Sequence, residues 1–144
     1  MWHFSQLAPE DHDQAVTLLR TALELDPNLA QAHMGLARSL NGRIWYGWSS
    51  DVERDGSETY VAAARSVALD DRDPYSHYAF CWANLLRRMH AQALAEAQRS
   101  IDLNPNFALG FFALGLVRNY IGHFAEAPDS LLRSLRLNPQ AGSF

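Results

Sequence analysis

The feature that most constrains this chain is a phrase that returns at a fixed interval. "ELDPNLAQAH" (24–33), "ALDDRDPYSH" (68–77), "DLNPNFALGF" (102–111) and "RLNPQAGSF" (136–144) each place Asp or Asn directly after a leucine. Leu69, Leu103 and Leu137 stand 34 residues apart, whereas Leu25 precedes Leu69 by 44, one period plus 10. A repeat in the range of about 20–50 residues means that each unit buries its apolar face against the next one, not within itself.

Between the phrases, Ala- and Leu-rich segments carry apolar residues every three or four positions, which predicts helices over 13–25, 29–40, 57–69, 75–88, 91–102, 107–120 and 124–137. Asp26-Pro27, Asn104-Pro105 and Asn138-Pro139 end helices, because proline has no amide to donate and disfavours helical geometry just before it. No sustained apolar-polar alternation predicts a strand. The fold class is therefore all-α, built from stacked antiparallel helix pairs.

These residues resemble the tetratricopeptide repeat (TPR) family over nearly the whole chain. In the last unit Phe111 takes the first aromatic place, Leu114-Gly115 the Leu-Gly pair, and "GHFAEA" (122–127) the turn into the second helix, with Leu131 and Pro139 following. The middle unit is looser, with His77, Phe80, Cys81, Ala93, Ala97 and Pro105. The first complete unit has His33, Leu36 and Ala37, then Thr59 and Ala63, and Asp71 replaces its closing proline. An incomplete unit with Ala15, Leu19, Ala22 and Pro27 precedes them, its first helix reduced to the stub "MWHFSQL".

The resemblance implies a right-handed α-α solenoid of about three and a half repeats in one domain, 1–144. The units are 1–27 (incomplete), 28–73 with a hairpin insertion at 41–56, 74–107 and 108–144. Ala37, Cys81 and Gly115 share the place where paired helices approach most closely, and His33, His77 and Phe111 share a larger pocket between units.

Composition excludes several function classes. A net charge of −4 and a pI near 5.8 give no global field for nucleic acid or anionic lipid, and the only adjacent basic pair, Arg87-Arg88, reads as a solvated helix face. One cysteine permits neither an internal disulfide nor a Cys-based zinc site. No apolar run is long enough to span a bilayer and "MWHFSQLAPED" has no signal-peptide pattern, so the cytoplasm is the expected compartment.

Six histidines invite a metal or acid–base reading, but the register argues against it. His12, His90 and Phe124 occupy one repeat place, and a place that takes His or Phe asks for a flat, partly buried ring. No phosphate loop, nucleophile elbow or zinc helix occurs. Cys81 falls where a small buried residue is needed, and Asp11, Asp13, Asp51, Asp55, Asp70, Asp71 and Asp73 fall where helix caps are needed. The sequence predicts no enzyme, no metal, no catalytic residue and no cofactor.

The family resemblance implies that the first helix of each unit lines an inner, partner-binding groove. Gln31, Met34, Arg38 and Asn41 come from the first complete unit, and Tyr75, Tyr78 and Trp82 from the next. Leu109, Phe112, Leu116, Asn119 and Tyr120 come from the last. Aromatic rings there suit an interface. Members that clamp acidic C-terminal tails need cationic or amide groups where this chain has Met34, Ala79, Leu109 and Ala113, which argues against that ligand. The expected function is a non-catalytic interaction module for a protein or peptide. The alternative is self-association, in which the aromatic face or an unfinished end of the array meets a second copy as a homodimer.

The stretch "RIWYGWSSDVERDG" (43–56) adds Trp45, Tyr46 and Trp48. Ser50-x-x-Glu53 fits a capping box and places the next helix start near 51, overhanging its partner. Ile44, Trp45 and Trp48 then serve as a cover over that overhang, or alternatively as a secondary contact site. Together with Leu69-Asp70, Asp73 to Tyr75, His77 and Tyr78, this wording is similar to repeat regions of bacterial signalling proteins, among them class III adenylate cyclase-like proteins and winged-helix regulators.

Overall fold

The computed structural model describes residues 8–142. They form α1 (Pro9–Leu25), α2 (Ala30–Trp45), α3 (Val52–Leu69), α4 (Pro74–Leu86), α5 (His90–Leu103), α6 (Ala108–Tyr120) and α7 (Ala127–Leu137), then a 3-10 turn over Pro139–Gly142. No strand occurs among the described residues. The stub "MWHFSQL" lies outside them, so the expected half-helix there is not described.

The turns between units repeat one device. Asp26, Asp70 and Asn104 each accept, through the side chain, the amide two residues ahead (Asn28, Arg72 and Asn106), all at 3.0 Å. This Asx turn closes the helix end with or without a following proline, which is why Asp71 replaces the proline without altering the turn. Helix starts follow ordinary chemistry: Asp73 accepts the Tyr75 amide at 3.0 Å, and Pro9, Pro74 and Pro128 sit in first turns where no amide is missed.

Consecutive helices pack pairwise. In addition α4 approaches both α2 and α6 directly, whereas α5 touches neither α3 nor α7. The layer of first helices is thus the tighter one, and the stack curves with that layer inside. The core divides accordingly. Val16, Leu36, Ala37, Leu40, Ala62 and Ala63 form one buried group with Ala79 and Ala83 of α4. Cys81 of the same helix faces the other group, with Ala93, Ala97, Ile101, Ala113, Leu114 and Val117.

The predicted close-approach place behaves as expected, and its partners compensate. A Cβ on Gly115 would lie 2.7 Å from the Leu131 side chain and 3.2 Å from the Ala127 carbonyl. Leu131 has Ala97 and Ala63 as its equivalents one and two periods back, opposite Cys81 and Ala37, all of them buried. Glycine faces leucine in the last unit, and small residues face alanine in the others, so summed volume is kept.

Several expectations need correction. α7 begins at Ala127, not 124, because Pro128 has no amide to bond the Phe124 carbonyl and so is accommodated only in a first turn; Phe124 is 67% exposed and not the partly buried ring its register implies. Asp51, not Ser50, caps α3, accepting the Arg54 amide at 3.0 Å. Asp55 is no cap. It lies within α3, fully buried, accepting the Ser49 hydroxyl at 2.8 Å and facing Arg43 at 3.7 Å. Arg87 and Arg88 form no helix face either: α4 ends at Leu86, and Arg87 lies over the Tyr60 ring at 4.4 Å.

The shared histidine place shows what its rings do. His33 Nε2 pairs with the Pro27 carbonyl and His77 Nε2 with the Asp71 carbonyl, each at 2.9 Å and each six residues back. His77 Nδ1 additionally meets the Glu96 carboxylate at 2.5 Å. Both of its ring nitrogens face acceptors, an arrangement satisfied by the imidazolium donating from each. Burial opposes that charge, but the Glu96 bond and the Asp71 carbonyl outweigh it and hold the pKa above 6.5. With the folded value raised, the stabilisation is complete below about pH 6.5 and is lost as pH rises through the folded value. Thermal unfolding followed from about pH 6 to 9 should show wild-type stability declining relative to His77→Phe; parallel curves would refute the charged pair.

Candidate functional site

The concave layer brings most of the expected groove residues together. Arg38 is exposed, its guanidinium 5.4 Å from the Tyr75 ring centre and 5.8 Å from that of Tyr78. Tyr75 is 40% exposed and meets Phe107 edge-on at 4.8 Å. Tyr78 is half-buried between Phe107 and Trp82, each at 6.0 Å, and burial pushes its phenol pKa up. Gln31 donates to the Asp73 carboxylate at 3.2 Å, at the edge of this wall.

Other groove residues take supporting positions. Trp82 is buried, not a free anchor: its ring is covered by Trp45 at 5.4 Å, Tyr78 at 6.0 Å and Phe112 at 6.2 Å. It is the floor of the wall. Met34 is half-buried against the first core group, and Asn41 is half-buried with its Oδ1 enclosed. Leu109 and Leu116 are half-buried, while Asn119 and Tyr120 are exposed at the far end of α6.

The insertion residues part company. α2 runs on to Trp45 and α3 starts at Val52, so most of the extra length is helix and only residues 46–51 connect. Ile44 alone covers the overhang as expected, facing Gly56. Trp45 swings to the concave side against Trp82. Tyr46 and Trp48 stack on each other at 4.8 Å, and Trp48 meets His12 of α1 at 5.3 Å. The three rings therefore do not form one secondary site.

Between Trp45, Trp82 and Tyr120 opens a cleft of about 410 Å³, completed by Leu85, Leu86, Arg88 and His90. Among the described residues no group of His, Cys, Asp and Glu is arranged to hold a metal, and no helix is long and apolar enough to cross a membrane. Cys81 is buried, and burial pushes its thiol up to about 12, so it stays protonated and unreactive.

No family model matches the chain, and no curated protein matches it in sequence. Solved structures do match. A thermophilic TPR protein of Thermus thermophilus superposes with a TM-score of 0.75 at 22% identity, covering 90% of this chain and 68% of that one. YrrB, described as a TPR protein with an unusual peptide-binding site, gives a TM-score of 0.54 at 18% identity over 91% and 80% of the two chains. The second TPR of Spaghetti (RPAP3), solved bound to the HSP90 peptide SRMEEVD, gives 0.59 at 18% identity over 76% and 92%. This is the tetratricopeptide fold.

Within the tetratricopeptide frame, the residues that sequence reasoning missed sit at turns. Phe107 immediately precedes α6 and is buried behind Tyr75 and Tyr78. Arg88 occupies the turn between α4 and α5 with φ of 57°, the left-handed region, and one period later the same place is Gly122 at 84°. That 34-residue correspondence was available in the sequence. It marks Arg88 as a side chain where the register prefers none.

Proposed function

We propose that this chain is a non-catalytic interaction module whose concave face binds an extended or helical segment of a protein partner. The observation that carries the reading is the continuous aromatic wall, with Tyr75, Tyr120 and Trp45 each 40–57% exposed on a face where the equivalent layer of the fold is already packed. Exposed aromatic patches of this kind are characteristic of contact surfaces. The peptide complex of the RPAP3 repeat and the peptide-binding site ascribed to YrrB support the same use of the fold. A regulatory setting, which the wording of residues 43–51 and 69–78 suggests, is part of the same proposal.

The test is selection from a displayed random-peptide library. Recovered peptides should bind Tyr75→Ala or Arg38→Ala at least about tenfold more weakly than the wild type, the usual loss at an interface anchor. Both residues are exposed, so their truncation leaves the fold intact. Unchanged affinity in both variants, or no peptide recovered, would overturn the reading. A doubled mass in light scattering would favour self-association instead, with the exposed Leu132 and Leu135 of α7 as the contact.

A further inference from the structure

We infer that the cleft between Trp45, Trp82 and Tyr120 is the anchor subsite of the concave face, and that it takes one bulky apolar side chain whose neighbour in the bound peptide carries a carboxylate. This rests on the peptide-binding reading above and adds the chemistry of the ligand. At about 410 Å³ the cleft is at the small end of ligand sites, matched to one large side chain and its flanking backbone. Its walls include two exposed rings from different helices, Trp45 at 55% and Tyr120 at 57%, with the buried Trp82 between their helices. An aromatic or leucine side chain entering there would be enclosed on three sides by ring surface.

Charge selects what accompanies that side chain. The cleft is lined by Arg88 and His90 and by no carboxylate, on a chain whose net charge is −4. A carboxylate at the cleft mouth would accept from the Arg88 guanidinium and the His90 ring at its rim.

The backbone fixes where that guanidinium starts. Arg88 holds the left-handed position of the turn that ends α4, closed by the Met89 amide on the Asn84 carbonyl at 2.9 Å, where the corresponding turn of the next unit uses Gly122. The turn thus carries a cationic side chain at the rim of the cleft where the next unit carries none.

The experiment uses three fluorescein-labelled peptides with Gly-Ser flanks around Asp-Phe-Asp, Lys-Phe-Lys or Asp-Ala-Asp, titrated with the intact chain up to about 1 mM, the weakest affinity worth scoring. Asp-Phe-Asp should bind at least about tenfold more tightly than either control. Trp45→Ala should lose that binding about tenfold with unchanged far-UV circular dichroism. Arg88→Gly should erase the preference for Asp over Lys while melting no lower than the wild type, because it relieves the left-handed strain. Equal affinity for the Asp and Lys peptides, no binding of any peptide, or full binding by Trp45→Ala would overturn the anchor subsite. If library peptides nevertheless still depend on Tyr75 and Arg38, the groove reading stands and only the subsite falls.

Discussion

Leu114→Ala is expected to lower the unfolding free energy by about 2–5 kcal/mol, the range for emptying a buried leucine site that cannot collapse. Leu114 is 4% exposed and lies in the second core group beside Cys81, Ala97 and Val117. Its neighbours are mostly small, and they are fixed by helix backbones that already approach as closely as Gly115 and Leu131 allow. Little can move in to fill the void. Trp48→Ala removes a larger side chain but should cost less, because Trp48 is half-buried and packs on Tyr46 and His12 at one end of the stack. Urea unfolding with matched m-values checks both. A larger loss at Trp48 than at Leu114 would mean that the insertion is part of the core and not an appendage to it.

Asp55→Ala should cost about 3 kcal/mol, near the lower end for stranding one member of a buried ion pair. Asp55 is fully buried, accepts the Ser49 hydroxyl at 2.8 Å, and faces Arg43, whose side chain is only 13% exposed. The Trp48 and Ser49 amides both bond the Arg43 carbonyl, at 2.8 and 3.1 Å, so α2, the connector and the start of α3 converge on this cluster. Removing the carboxylate leaves the Ser49 hydroxyl without its acceptor and the Arg43 guanidinium without its buried counter-charge, in a place water reaches poorly. The loss is limited because Arg43 keeps Asp13 at 3.4 Å. Asp13 itself is 63% exposed, so Asp13→Ala should cost under about 1 kcal/mol. Equal losses at the two aspartates would show that the buried cluster does not hold the insertion in place.

Much of this protein was legible in one dimension. The 34-residue period, the breakers after each leucine and the 3.6-residue apolar rhythm determined an all-α stack and the small residues at Ala37, Cys81 and Gly115. These features are local or strictly periodic, and periodic packing repeats the same physical demand at the same spacing. The expectation that the first helix of each pair faces inward, and with it the choice of Tyr75, Tyr78 and Tyr120, came from the family resemblance and not from the period itself.

What only the tertiary structure decided lies where the period breaks. Asp55 reads as one more cap among many acids, and nothing in its neighbourhood along the chain shows that the lengthened α2 carries Arg43 over it. Trp45, Tyr46 and Trp48 read as one aromatic cluster, yet successive residues at a helix end point in different directions, so Trp45 covers Trp82 while Tyr46 and Trp48 turn toward His12. The cleft itself joins residue 45 to residues 82–90 and 120, three stretches that only the stacking of α2, α4 and α6 brings together. A repeat pattern specifies how neighbours pack, whereas a site built from the ends of three units depends on how far each helix runs past its partner. That length is set by the insertion and by packing across the stack.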